Sequence, residues 1–194
     1  MENATTEINP TIEKTFEKLL FPTPIYTFVD KEVGNIKEQF FELTKQRLHE
    51  TSSKDLMDEE SPCIEHIKQT VYAIANQLPE FADGKIPVII GSNLMFQENL
   101  EHIPVHAYEH IPIVFSFIMN STDFRPKTYY VDPRGGVQTI SRNRVKHGIV
   151  ETSFGLYAYE GEVVVTPGYL QKYIETNLSQ ESYVVLDVLV GFNA

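Results

Sequence analysis

The sequence has no tryptophan, a single cysteine and a shortage of cations: 16 Lys and Arg stand against 27 Asp and Glu in 194 residues, a formal net charge of -11. One thiol, Cys63, excludes an intramolecular disulfide framework and a thiolate zinc cluster. The acidic balance argues against wrapping nucleic acid or an anionic membrane, both of which demand dense cationic surface. Long apolar runs are also missing, and Met1 to Pro10 is polar and acidic with no cationic start. Neither a membrane-spanning helix nor a secretory leader is therefore expected, and the chain reads as intracellular or assembled from an intracellular pool.

What is present is a globular composition, 42% hydrophobic with 12 Phe and 10 Tyr, enough to build one core. Residues 1–20 read as a tail or, over Thr11 to Leu20, a short helix, and 21–194 as a single domain. Phe21 to Val29 contains two prolines followed by β-formers, which bars a helix and suggests an edge strand. Asn35 is placed to cap a helix carrying Ile36, Phe40 and Leu43, with Glu38 reaching back to it. A second amphipathic helix follows on Ile64, Ile67, Val71, Ile74 and Leu78 and stops at Pro79. These helices, about 35–80, are expected to pack on one sheet.

From about residue 86 the texture becomes short β-rich runs: 88–90, 93–97, 112–119, 128–131, 137–140, 149–159, 162–166 and 183–192. The last run is apolar on both faces, as in a strand covered on two sides. Eight short strands in about a hundred residues, broken by Pro, Gly and Asn, predict an α+β domain whose core is a jelly roll or double-stranded β-helix.

Two stretches carry candidate chemistry. His102, His106 and His110 recur every four residues with Glu101 and Glu109 between them. Imidazole and carboxylate are the material of a non-haem iron or zinc centre, but Pro104 and Pro112 oppose the helix that would align them, and the alternative is a set of loop histidines. Between Arg125 and His147 lie Arg125, Lys127, Arg134, Arg142, Arg144 and Lys146 against the one acid Asp132, a local charge of +5 that leaves -16 on the rest. Such a segment suits an acidic partner, for example the Asp55 to Glu65 stretch of a neighbouring copy, or a strand edge protected by charge. Cys63, followed by an apolar helical stripe, is expected to be a buried small residue.

A set of motifs in order carries a family resemblance: Phe21-Pro22-Thr23-Pro24-Ile25-Tyr26 before a helix, Val114-Phe115-Ser116-Phe117-Ile118, Tyr129-Tyr130-Val131, Asp132-Pro133-Arg134, Gly161 to Leu170 with Glu175-Thr176-Asn177, and the terminal Gly191-Phe192-Asn193. From about Leu20 to Asn193 the chain resembles the 2-oxoglutarate and Fe(II)-dependent oxygenases common in tailed bacteriophages. The resemblance implies a double-stranded β-helix preceded by helices. Working members place a His-x-His or His-x-Asp pair shortly before the Ser116 strand, a second histidine after the Pro-Ser-Trp-Leu motif, and an arginine for 2-oxoglutarate on the last strand. Here Lys172 stands at the distal histidine, Tyr183 at the arginine, and counting back from Ser116 puts Tyr108 and His110 at the proximal pair, with His106 a substitute only if the loop shifts by two residues.

The resemblance therefore implies a degenerate member, a non-catalytic structural or adaptor protein of a virion neck, tail or baseplate, located in the virion or host cytoplasm. Its expected partners are other protein subunits, in a homo-oligomer or a larger assembly, and neither nucleic acid nor membrane. No metal or cofactor is expected, His106, Glu109 and His110 being the residual candidates. The alternatives are an active hydroxylase using Fe(II) and 2-oxoglutarate through an atypical ligand set, and a small-molecule or glycan-binding jelly roll.

Overall fold

A strand that is apolar on both faces needs a layer on either side, and Tyr183–Asn193 has both. In the computed structural model, which describes residues 12–20, 23–49, 55–82, 84–121, 123–133 and 153–193, the elements run in chain order as follows. Strands β1 (Ile12–Leu20) and β2 (Thr23–Asp30) lead into helices α1 (Val33–His49) and α2 (Pro62–Ala75). The remaining strands are β3 (Ile86–Gln97), β4 (Ile103–His106), β5 (Ile113–Asn120), β6 (Thr128–Val131), β7 (Ser153–Leu156), β8 (Glu162–Pro167), β9 (Gln171–Ile174) and β10 (Tyr183–Asn193). One antiparallel sheet has the order β1-β2-β8-β5-β10-β3 and a second the order β4-β9-β6-β7.

Alternation along the central strands builds two apolar layers. Phe115 and Phe117 of β5, Val163 and Val165 of β8, and Leu186 and Val188 of β10 point to the helices. There they meet Phe40 of α1 and Ile64, Ile67, Val71 and Ile74 of α2. The intervening residues, Ile118, Val164, Tyr183 and Val185, face the smaller sheet and pack with Ile25, Tyr130, Leu170 and Ile174. Helix α2 starts with Pro62 at its first position, where a missing N–H costs nothing, and Cys63 is fully buried in the helix-side layer as the sequence suggests. The architecture is the α+β double-stranded β-helix with helices on one sheet.

A buried polar pin fastens α2 to the sheet. The Asp30 carboxylate at the end of β2 accepts hydrogen bonds from His66 Nε2 at 2.7 Å and Thr70 Oγ1 at 2.9 Å, while its other oxygen accepts the Glu32 N–H at 3.0 Å. The Asp30 N–H in turn donates to the Gly161 carbonyl. Gly161 has φ +83°, and a Cβ there would lie 2.9 Å from the Asp30 carbonyl oxygen, so the tight turn into β8 requires glycine.

Several expectations are corrected. Residues 12–20 form β1, paired with β2 from Ile12↔Asp30 to Leu20↔Thr23, and not a short helix. So short a run nucleates a helix poorly, whereas β2 offers a complete ladder. With β1 on its flank, β2 is not an edge strand. Pro24 is accommodated because β8 pairs only with Tyr26 to Val29, beyond the proline. Helix α1 begins at Val33, leaving Asn35 inside its first turn and not at its cap. The runs 88–90 and 93–97 are one strand, β3. Strands β4 and β9 were not anticipated, and 137–140 lies outside the described residues. Among the described residues, no helix is long and apolar enough to cross a membrane.

Candidate functional site

Inward-facing positions on the middle strands of both sheets meet at one polar point within the inter-sheet layer. On β9 the inward residues are Lys172 and Ile174, both buried, with Gln171 and Tyr173 turned outward. On β10, Asp187 continues the inward series of Tyr183 and Val185 and is paired directly across β5 from Ser116. Lys172 Nζ lies 2.6 Å from each oxygen of Asp187 and donates to Ser116 Oγ at 3.0 Å. Ser116 Oγ–H donates to Asp187 Oδ1 at 2.7 Å, and Tyr108 O–H donates to Oδ2 at 2.8 Å. Asn93 Nδ2 donates to the Tyr108 oxygen at 2.8 Å. Asp187 has no solvent exposure and Lys172 is 4% exposed. Two opposite charges so deeply withdrawn from water are stable only because each is the other's counterion and the hydroxyls satisfy the remaining valences.

His106 completes the cluster. It is the cross-strand partner of Lys172 in the β4–β9 ladder, and its ring stands edge-on to Tyr108 with centroids 5.7 Å apart. Nδ1–H donates to the Pro104 carbonyl at 2.9 Å, which leaves a lone pair on Nε2, a buried atom with no partner among the described residues. Burial holds the imidazole pKa below its usual 6.5, opposed by the Pro104 hydrogen bond, with the Lys172 ammonium acting in the same direction as burial. Burial, then the adjacent Asp187 carboxylate, push the Tyr108 phenol up, so it stays a donor at any physiological pH.

The sequence-predicted residues divide cleanly. His106, Tyr108 and Lys172 converge. His102, Glu109 and His110 are exposed and take no part, and Glu101 is exposed with its carboxylate capping the Glu98 N–H at 2.9 Å. Counting back from Ser116 had favoured Tyr108 and His110. The β4–β9 register instead sets His106 opposite Lys172 with Tyr108 two residues on, because residues two apart share a face and His110 falls in the following turn. Tyr183 is wholly buried in the apolar inter-sheet layer, its phenol pushed up by that burial. The charged group that β10 brings to the cluster is Asp187, four residues further along. Asp187, Ser116 and Asn93 were missed as site residues. A lone carboxylate in a strand apolar on both faces was the available signal, since such a group must find a cation.

Of the basic segment, Arg125 and Lys127 are described, and Arg134, Arg142, Arg144 and Lys146 lie outside the described residues. Arg125 lies over Tyr159 with Cζ 3.8 Å from the ring centroid. Lys127 Nζ sits 4.9 Å from the Tyr129 centroid and 5.4 Å from that of Tyr157. Tyr129 stacks on Tyr173 across the β6–β9 ladder, rings 4.8 Å apart. Gly155 of β7 leaves room for this arrangement, since a Cβ there would strike the Lys127 side chain.

With this geometry in hand, the fold is similar to that of the non-heme alpha ketoglutarate dependent carbocyclase SnoK from nogalamycin biosynthesis (TM-score 0.62, 12% identity, covering 91% of this chain and 82% of that one). It is also similar to a Pseudomonas putida prolyl-4-hydroxylase (TM-score 0.60, 4% identity, 90% and 91%) and to HygX from Streptomyces hygroscopicus with nickel and 2-oxoglutarate bound (TM-score 0.56, 11% identity, 87% and 82%). At these identities the likeness is one of fold. No family model and no curated protein matches the chain.

These neighbours correct one expectation, that no cofactor is involved. HygX binds nickel and 2-oxoglutarate in one structure and iron in another, so cofactor use is open for a chain of this fold. The residues at the polar point, as arranged, do not fit a divalent cation. Of the four nearest groups, one is an ammonium and one a phenol held protonated, and the single carboxylate is saturated by three donors. Among the described residues no three His, Cys, Asp or Glu side chains gather as a metal site. No reaction step is therefore routed through a metal here.

Two outcomes follow from the cluster. Lys172→Met strands the Asp187 carboxylate, so in urea denaturation it is expected to be less stable by about 3–5 kcal/mol than the double variant Lys172→Met with Asp187→Leu, which has no buried charge at this point. For His106 the folded pKa is depressed, so the unfolded chain binds the proton more readily. Stability therefore falls as pH drops below about 6.5 and stops falling once the folded pKa is passed. His106→Gln flattens that acid limb in denaturation midpoints measured from about pH 7 to pH 5.

Proposed function

We propose that this chain is a non-catalytic structural or adaptor protein built on an oxygenase-type double-stranded β-helix, acting through its surface in a tailed-phage particle. The observation that carries the reading is the Lys172–Asp187 ion pair. The position that the family resemblance assigns to a metal-binding histidine holds a buried ammonium already neutralised within the fold. The phage placement rests on the sequence resemblance. Tested by anaerobic loading with Fe(II) and 2-oxoglutarate followed by exposure to oxygen, the protein is expected to form no succinate above a protein-free control. Succinate formation that Lys172→Met abolishes or alters would mean an active oxygenase with an atypical site and would overturn the proposal.

The working surface on this reading is the patch around Arg125 and Lys127. Phe124, Tyr157 and Tyr159 are exposed beside these cations, and exposed aromatic rings with flanking Arg and Lys are the composition of a protein interface, not of an idle surface. The acidic counterpart on a second copy is the shallow cleft formed by Asp58, Glu59, Glu60 and Glu65 around the start of α2. Asp55 is already committed, accepting from Met57 N–H, Ser92 N–H and Ser92 Oγ–H. Light scattering is expected to show oligomers that weaken as salt shortens the range of these charges. The paired reversal Arg125→Glu and Lys127→Glu should dissociate them without moving the thermal midpoint by more than a few degrees. A monomer at every salt concentration, or oligomers indifferent to the reversal, removes this surface from the proposal.

A further inference from the structure

Lys172 and Asp187 come from different sheets, yet the amine nitrogen is 2.6 Å from both carboxylate oxygens, with the side chains 5% and 0% exposed. Equal distances put the nitrogen on the bisector of the carboxylate. Carboxyl geometry then sets Nζ no farther than about 3 Å from Cγ, the short end of the range for reacting atoms, and attack requires only that the carboxyl group turn its face toward the nitrogen. Tyr130, Tyr183, Val185 and Ile118 fill the same layer, all buried, and keep bulk water from the pair. The accessory groups are also those an acyl transfer uses. Ser116 and Tyr108 each donate a hydrogen bond to one carboxyl oxygen, and His106, the cross-strand partner of Lys172, has a buried Nε2 lone pair with no partner among the described residues.

We propose that Lys172 and Asp187 condense within the folded protein into an intramolecular isopeptide bond that ties the two sheets together. A proton first passes from the ammonium to a carboxylate oxygen, giving a neutral amine and a carboxylic acid. The nitrogen lone pair attacks Cγ, forming the N–C bond, while the carbonyl electron pair moves to the oxygen held by the hydroxyl donors. His106 Nε2 takes the proton released by nitrogen and gives it to the departing hydroxyl. The C–O bond breaks, the carbonyl re-forms, and one water leaves. Charge balances throughout, the cation and anion being replaced by a neutral amide, and no oxidant or outside reagent is consumed. The depressed pKa of His106 keeps its lone pair available for this transfer.

The inference shares the ion pair with the proposed function but not its test, since succinate formation and amide formation are read independently. Intact mass spectrometry of the purified, denatured wild-type chain is expected to show a mass lower than the sequence by one water. Peptide mapping should then recover a branched peptide joining the segment with Lys172 to that with Asp187. Lys172→Arg, which keeps a cation opposite Asp187, should restore the full sequence mass. His106→Gln should slow the loss of water after refolding by at least about tenfold, the scale of a lost proton-transfer group. A wild-type mass equal to the sequence overturns the proposal. So does a loss of water that persists in Lys172→Arg or maps to Asp83-Gly84, where succinimide formation would cost the same mass.

Discussion

The arrangement of the two sheets depends on one contact, the Lys172–Asp187 ion pair with its hydroxyl donors. Asp187 lies on β10, between β5 and β3 in the larger sheet, and Lys172 on β9, between β4 and β6 in the smaller one. Each charge sits on the inner face of a central strand, where among the described residues the other is its ion-pair partner. Apolar side chains such as Val164, Ile118 and Ile174 pack acceptably over a range of small displacements. A charge pair with five hydrogen-bonding contacts tolerates very few, because any slip exposes one ion to hydrocarbon. The polar point therefore selects one relative position of the sheets, and the apolar layer supplies most of the cohesion around it.

That contact also changes what the fold can do. In a double-stranded β-helix the inner face near the barrel mouth is where side chains from several strands converge, which is the geometric requirement for a reactive centre. His106, Tyr108 and Lys172 meet that requirement here, brought together by the β4–β9 ladder. Their chemistry runs the other way. An ammonium supplies a fixed positive charge, the carboxylate is spent on it, and the phenol is held protonated by burial and then by the same carboxylate. A site of this kind is internally satisfied, except for the Nε2 lone pair of His106. The one group with unused capacity is a base, beside the one pair of groups able to condense.

Much of the architecture was legible in the sequence because it follows from period and punctuation. The largely apolar β10, the Pro-started α2 and the near-continuously apolar β5 each show their burial in their residue pattern. The failures have physical causes. Strand β9 reads Gln-Lys-Tyr-Ile, so its inward lysine inverts the expected pattern, and the charge that makes it important also concealed it. Strand β1 is amphiphilic enough to suit either period, and only the presence of β2 beside it decides the outcome. A count along the chain sets Tyr108 and His110 side by side, but it cannot see the turn that keeps His110 out of the polar cluster, which holds His106 and Tyr108 instead. Asp187 was visible as an anomaly, but its partner, fifteen residues earlier on another sheet, could be found only in three dimensions.

The same reasoning extends from the interior to the surface. A chain with a net charge of -11 repels copies of itself unless its few cations are placed and oriented for contact. Arg125 Cζ and Lys127 Nζ both lie over tyrosine rings, and a cation so held keeps its charge while its side chain is restrained. Less entropy is then lost on association than for a freely moving lysine. The glycine at 155, which leaves space for the Lys127 side chain, makes this orientation a property of the sheet rather than of one rotamer. Inside, a lysine is fixed by a carboxylate and is unavailable to any partner. Outside, Arg125 and Lys127 lie against aromatic rings, which do not neutralise a charge as a carboxylate does.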